Sequence, residues 1–139
     1  MPKSTPISVR LDADTYRGAR ELARRTSRSL SSVVSELVEE AMRIRQHPGI
    51  VFAGPAGNRR ARVEGSGLDV WEVMTVHRNC GERTEKTLQT LSHLSSRQLE
   101  AVLQYYASHR AEIDERIADN ERPVEEWLRL YPHIRVWKD

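Results

Sequence analysis

The sequence predicts a mainly α-helical protein in two parts: a strand and two helices over residues 1–46, then a helical domain with a short β-hairpin over 47–139. Three observations carry this. Residues 6–12 alternate apolar and polar side chains. Two amphipathic stretches follow, each opened by a capping residue. After His47-Pro48-Gly49 the pattern changes to short apolar runs around glycine-rich turns, and then to further capped helices.

In Pro6-Ile7-Ser8-Val9-Arg10-Leu11-Asp12, the side chains of Ile7, Val9 and Leu11 share one face and those of Ser8 and Arg10 the other. That is the period-2 mark of a half-buried strand. Asp12 stands where a helix N-cap belongs. From Ala13 to Thr26, Tyr16, Ala19, Leu22 and Ala23 repeat at helical spacing, with Arg17, Arg20, Arg24 and Arg25 between them. Thr26-Ser27-Arg28-Ser29 breaks the pattern, and Ser29 is a second N-cap. Leu30, Val33, Val34, Leu37, Val38 and Ala41 then mark a stronger amphipathic helix, with Glu36, Glu39 and Glu40 on its outer face. It should end near Arg45.

One strand and two helices cannot stand alone. A lone strand has no partners for its N–H and C=O groups, and two helices bury too little. A two-fold dimer solves both problems. The strands pair antiparallel, and Ile7, Val9 and Leu11 enter a shared core. Ser8 and Arg10 then point outward on a ribbon that fits a DNA major groove, where Arg10 can donate to guanine O6 and N7.

This segment resembles the ribbon-helix-helix repressors, the family that includes Arc, MetJ and CopG. The resemblance covers about a third of the chain: Ile7 to Leu11, Ala13 to Arg25, and Ser29 to Val34 with Leu37 and Ala41. It implies that Ser8 and Arg10 read bases. It also implies a phosphate clamp at the start of the second helix, at Ser29, Leu30 and Ser31; the basic side chains of Lys3 and Arg28 are further candidates for phosphate contact. Pro6 departs from the pattern, because it removes a donor and trims the ribbon's edge.

The second part opens with the apolar run Ile50-Val51-Phe52. Turn chemistry at residues 54–58 and a short strand over Arg59-Arg60-Ala61-Arg62-Val63 complete a predicted hairpin. Asp69-Val70-Trp71-Glu72 reads as a capping box for a helix to about Asn79. A short helix carries Leu88 and Leu91. Ser95-Ser96-Arg97-Gln98 is a second capping box, and it opens a long helix with Leu99, Val102, Leu103 and Tyr106, its spacing continued by Ile113 and Ile117. A last helix covers about Val124 to Leu130.

Residues 47–117 also look like a small bacterial domain family whose members often serve as VapB-type antitoxins beside PIN-like toxins. The resembling residues are Pro48-Gly49-Ile50, Gly65 to Trp71, and Leu99 to Tyr106 with Glu112-Ile113-Asp114. The three helices with short turns read as a helix-turn-helix unit, in which Ser96, Arg97 and Gln98 would face DNA. The same residues also fit a plain helix cap. Arg59, Arg60 and Arg62 fit either a phosphate grip or a charged edge strand. Trp127, Tyr131 and Trp137 in the tail fit either core or partner anchors.

Composition narrows the function. Residues 1–46 carry nine Lys/Arg and six Asp/Glu, whereas residues 98–139 carry six and nine. A basic front and an acidic tail suggest two different partners, DNA and a protein. No apolar run approaches the length of a membrane span, and the first six residues lack the apolar core of a secretion signal. A single cysteine, Cys80, fits a reducing cytoplasm. The histidines are scattered, and His77 and Cys80 lack the second pair that a zinc site needs. No nucleophile motif or phosphate-binding glycine loop stands out, so neither enzyme activity, a cofactor nor a small-molecule ligand is expected. The expected function is a bacterial transcriptional repressor that binds double-stranded DNA as a homodimer, with higher oligomers on DNA. It would be an antitoxin that autoregulates its operon and inhibits a PIN-like toxin protein. The alternatives are a stand-alone ribbon-helix-helix regulator with no toxin, and a protein-binding adaptor that has lost DNA binding.

Overall fold

The computed structural model describes residues 4–121 together with residues 126, 129, 130 and 132. Its elements run α1 (Ala13–Thr26), α2 (Leu30–Gln46), β1 (Ile50–Ala53), β2 (Arg60–Val63), α3 (Val70–Asn79), α4 (Thr84–Thr90), α5 (Ser96–Ser108) and α6 (Arg110–Asn120). The chain forms two compact units, Met1–Arg45 and Gln46–Asp139. No helix among the described residues is long and apolar enough to cross a membrane.

In the first unit, α1 begins where its cap dictates. The Asp12 side chain accepts the Thr15 N–H at 2.7 Å. The helix ends at Ser27, whose left-handed backbone (φ 52°) lets the Arg28 N–H reach the Ala23 carbonyl at 3.0 Å. The Ser29 hydroxyl oxygen accepts the Ser32 N–H at 3.0 Å and starts α2. Ala19, Ala23 and Val33 are buried. The strand expected over residues 6–12 is not formed within a single chain: residues 4–10 are exposed and without regular structure. Among the described residues of this unit no other extended segment lies where it could take its N–H and C=O groups.

The second unit holds its own core. Strands β1 and β2 pair antiparallel, with Ile50 opposite Val63 and Phe52 opposite Ala61. Period-2 alternation buries Ile50, Ala61 and Val63 and turns Arg60 and Arg62 to the other face. The turn between the strands needs a glycine at position 54: φ is +107°, and a Cβ there would meet the Asn58 carbonyl oxygen at 2.6 Å. Val70, Val73 and Met74 of α3, Leu99, Val102 and Tyr105 of α5, and Ile113 and Ile117 of α6 fill the space beneath the hairpin.

The long helix expected to run through Ile117 is two helices. The chain breaks at His109 (φ −133°, ψ 44°), which closes α5 and opens α6. The break lets α6 fold back onto α3, and Ile113 and Ile117 enter the same core as Leu99 and Val102. The His109 ring lies 4.5 Å from the Tyr105 ring and 5.4 Å from that of His47, so the corner is packed by aromatic groups.

Candidate nucleic-acid interface

In the first unit the candidate residues fall in two places. Ser8 and Arg10 are exposed on the unpaired segment that leads into α1. Arg28, Ser29, Leu30 and Ser31 come together at the start of α2. A shallow surface depression there is lined by Arg28, Ser31, Ser32, Ser35, Glu36 and Glu39. The first N–H groups of any helix lack an intrahelical acceptor. Here the Ser29 cap takes that of Ser32, and the Ser29 carbonyl takes that of Val33. The N–H groups of Leu30 and Ser31 therefore have no acceptor in the helix itself, and they stand at its positive end. Arg28 is half-buried and pairs with Glu36 at 2.9 Å, which holds its guanidinium against α2.

In the second unit two arginines of the basic hairpin meet a carboxylate. Asp69 is buried, with its carboxylate clamped by Arg60 Nε at 2.7 Å and Arg62 Nε at 3.1 Å; the Trp71 indole N–H also donates to it, at 3.2 Å. Burial pushes the Asp69 carboxyl up, but the hydrogen bonds from Arg60 and Arg62, the Arg60 charge and the Trp71 indole outweigh it. The carboxyl lies below its ordinary 3.8. Asp69 also caps α3 in a capping box with Glu72. The sequence showed this cap but not the clamp. Arg60 and Arg62 share one face of β2, but two acids, Glu64 and Asp69, follow them, so spacing alone does not single out the partner. Arg59 donates to the carbonyls of Gly54 at 2.6 Å and Phe52 at 3.3 Å, which ties the hairpin turn.

The start of α5 is a cap. The Ser95 hydroxyl oxygen accepts the Gln98 N–H at 3.1 Å, and the Gln98 side chain accepts the Ser95 N–H at 2.8 Å. The Gln98 amide also donates to the Glu64 carbonyl at 3.0 Å, so it links α5 to the turn after β2. Ser96 and Arg97 remain exposed. His77 is buried with Nδ1 2.8 Å from the Thr87 hydroxyl. The Thr87 hydroxyl also lies 3.0 Å from the Arg83 carbonyl, so it joins His77 to the start of α4. Among the described residues, no group of three or more His, Cys, Asp or Glu is placed to hold a metal ion. Lys3, Trp127, Tyr131 and Trp137 lie outside the described residues.

Comparison of the chain with protein-family profiles, with curated proteins and with solved structures gives no match.

Proposed function

We propose that this chain is a homodimeric, sequence-specific DNA-binding repressor, and that it is the antitoxin of a toxin–antitoxin pair whose operon it represses. One observation carries the DNA-binding reading. The alternating segment before α1 stands unpaired, with Ile7 79% and Val9 61% exposed. The same unit leaves Tyr16, Leu22, Leu37, Val38, Met42 and Ile44 exposed. So much apolar surface on about 45 residues marks an association face rather than a finished fold. A two-fold mate would pair the segments as an antiparallel ribbon and cover Ile7 and Val9. Ser8 and Arg10 would then face outward in two copies, and the start of each α2 would meet flanking phosphates.

The antitoxin assignment rests on two features. Charge reverses along the chain, from basic to acidic. The second unit has a separate core that a ribbon dimer does not need for reading DNA. A PIN-like ribonuclease is the expected partner of that unit and its acidic tail.

The test of DNA readout uses the full chain and a duplex from upstream of its own gene, followed by fluorescence anisotropy. Arg10→Ala should reduce the preference for that duplex over a scrambled one by about 1–3 kcal/mol for each guanine that Arg10 reads. Unchanged preference would sink the ribbon assignment. For the antitoxin assignment, the natively expressed protein should purify with a small nuclease identifiable by mass. Purification as a dimer alone would remove the toxin from the reading.

A further inference from the structure

Helix α1 is the basic helix of the first unit. Its arginines are Arg17, Arg20, Arg24 and Arg25, against Asp14 and Glu21. At 3.6 residues per turn, positions 17, 20 and 24 fall within about 60° of arc. No carboxylate shares that arc, because Asp14, Glu21 and Arg25 form the neighbouring row. The buried Ala19 and Ala23 lie to the other side of the stripe. Arg17 and Arg24 are 74% and 72% exposed in their side chains. Arg20 lies over the Tyr16 ring at 5.7 Å. Helix α2 differs, since its outward row carries Glu36, Glu39 and Glu40.

We infer that the Arg17–Arg20–Arg24 stripe is a second DNA-backbone contact, running between the ribbon and the start of α2. The inference rests on the ribbon reading above and adds a surface to it. Helix α1 connects the two elements assigned to DNA: it begins at Asp12, where the ribbon ends, and it ends at Ser27, just before Arg28 and Ser29. The three guanidiniums are spaced by roughly 4.5 and 6 Å along the helix axis, from a rise of 1.5 Å per residue. The row is about 10.5 Å long and so spans about three charges of one DNA strand, which carries one per ~3.4 Å of its axis. Two of them are now held by exposed carboxylates. Arg17–Asp14 is an exposed pair three residues apart on one helix, a class of interaction worth little in water. Glu21 holds Arg24 with two hydrogen bonds, at 3.1 and 2.6 Å, and also reaches Arg25, so Arg24 is the more firmly held of the two, although all these side chains are solvent-exposed. A phosphate displaces such a carboxylate at small cost, and counterion release from the DNA drives the exchange.

The experiment is a salt titration of DNA binding by the full chain, on the upstream duplex and on a scrambled one. The variants are Arg17→Gln/Arg20→Gln/Arg24→Gln, the same three positions changed to Lys, and Asp14→Asn/Glu21→Gln. Circular dichroism and sedimentation check that each remains folded and dimeric. If the stripe touches at least two phosphates per dimer, then raising salt from 50 to 200 mM should weaken the wild type roughly ten-fold more than the Gln variant. The loss should be equal on both duplexes. The Lys variant should keep the wild-type slope. The Asp14→Asn/Glu21→Gln variant should bind more tightly at low salt, because its arginines are released. An unchanged slope in the Gln variant overturns the inference, and so does loss of a co-purifying protein with DNA binding intact. If the Gln variant keeps its slope while Arg10→Ala loses duplex preference, the ribbon reading stands and the stripe falls. If the wild type binds neither duplex, both fall.

Discussion

At the scale of single residues, Asp69 ties the hairpin of the second unit to α3. One carboxylate caps α3, accepts from two arginines of β2 and takes the Trp71 indole. It joins the hairpin to the helices, and Arg62 and Asp69 also form a backbone bridge. Asp69→Asn keeps the shape but leaves two partly buried guanidiniums facing a neutral amide. Removing one partner of a buried ion pair costs about 3–5 kcal/mol. Arg60 and Arg62 are about a third exposed in their side chains, 28% and 34%, so the lower end applies. Urea denaturation followed by circular dichroism should show the loss in the transition of the second unit. The pH dependence has a definite sign. The Asp69 carboxyl is depressed in the folded chain, so its stabilising effect is present above the ordinary value of 3.8 and disappears as pH falls through the lower folded value. The wild type should lose stability below about pH 4, and the Asn variant should lack that component. A wild-type and variant pair with parallel acid profiles would show that the clamp is not energetically coupled to folding. None of this clamp was legible in the sequence. The arginines read as a surface feature, because the partner lies seven and nine residues away across a turn. Only the strand register brings the three together.

At the scale of elements, the helix starts were legible because capping is local chemistry. Asp12, Ser29, Asp69 and Ser95 each stand at a predicted cap and are found at the residue before a helix. The hairpin was legible from its turn glycines and apolar runs. The corner at His109 was not. Neither glycine nor proline marks it, and Val102, Tyr106, Ile113 and Ile117 keep helical spacing straight through it. The spacing survives because both helices face one core, so periodicity reports burial but is blind to the change of direction. The end of α1 carries a testable strain. Ser27 adopts φ 52°, ψ 40°, a left-handed conformation in which the Cβ of an L-residue is crowded. Glycine has no such penalty and is the commonest residue at that place in helix ends. Ser27→Gly should therefore raise the stability of the first unit by about 0.5–1 kcal/mol, the roughly 1–2 kcal/mol of left-handed crowding less the roughly 0.5–1 kcal/mol that glycine loses in entropy, read as an upward shift in its denaturation midpoint. A fall in the midpoint would mean that the serine side chain contributes more than the backbone strain takes away.

At the scale of the whole molecule, the two units differ in what they leave unfinished. The second closes its core within one chain, with Val70, Val73, Val102 and Tyr105 fully buried. The first buries little beyond Ala19, Ala23 and Val33 among its described residues and exposes Ile7, Val9, Val38 and Met42. On the dimeric reading proposed above, such a unit would gain most of its stability from a second copy, and its melting should then depend on protein concentration. Burying a side chain such as Ile7 or Val9 contributes about 1.5–3 kcal/mol, and a two-fold dimer counts each one twice. Thermal unfolding of the full chain should thus show two transitions. One moves upward as concentration rises, and the other, from the second unit, stays where it is. Val9→Asp tests the link. It would place two carboxylates in the covered face of the ribbon, where an unpaired charge is expensive to bury and like charges repel. The variant should sediment as a monomer, lose the concentration-dependent transition and keep the other. It should also lose DNA binding on every duplex, whereas Arg10→Ala loses only the preference among them. A wild-type protein whose transitions both ignore concentration, or a Val9→Asp variant that remains dimeric, would show that the exposed face of the first unit is not the dimer interface. The ribbon would then have no means of forming.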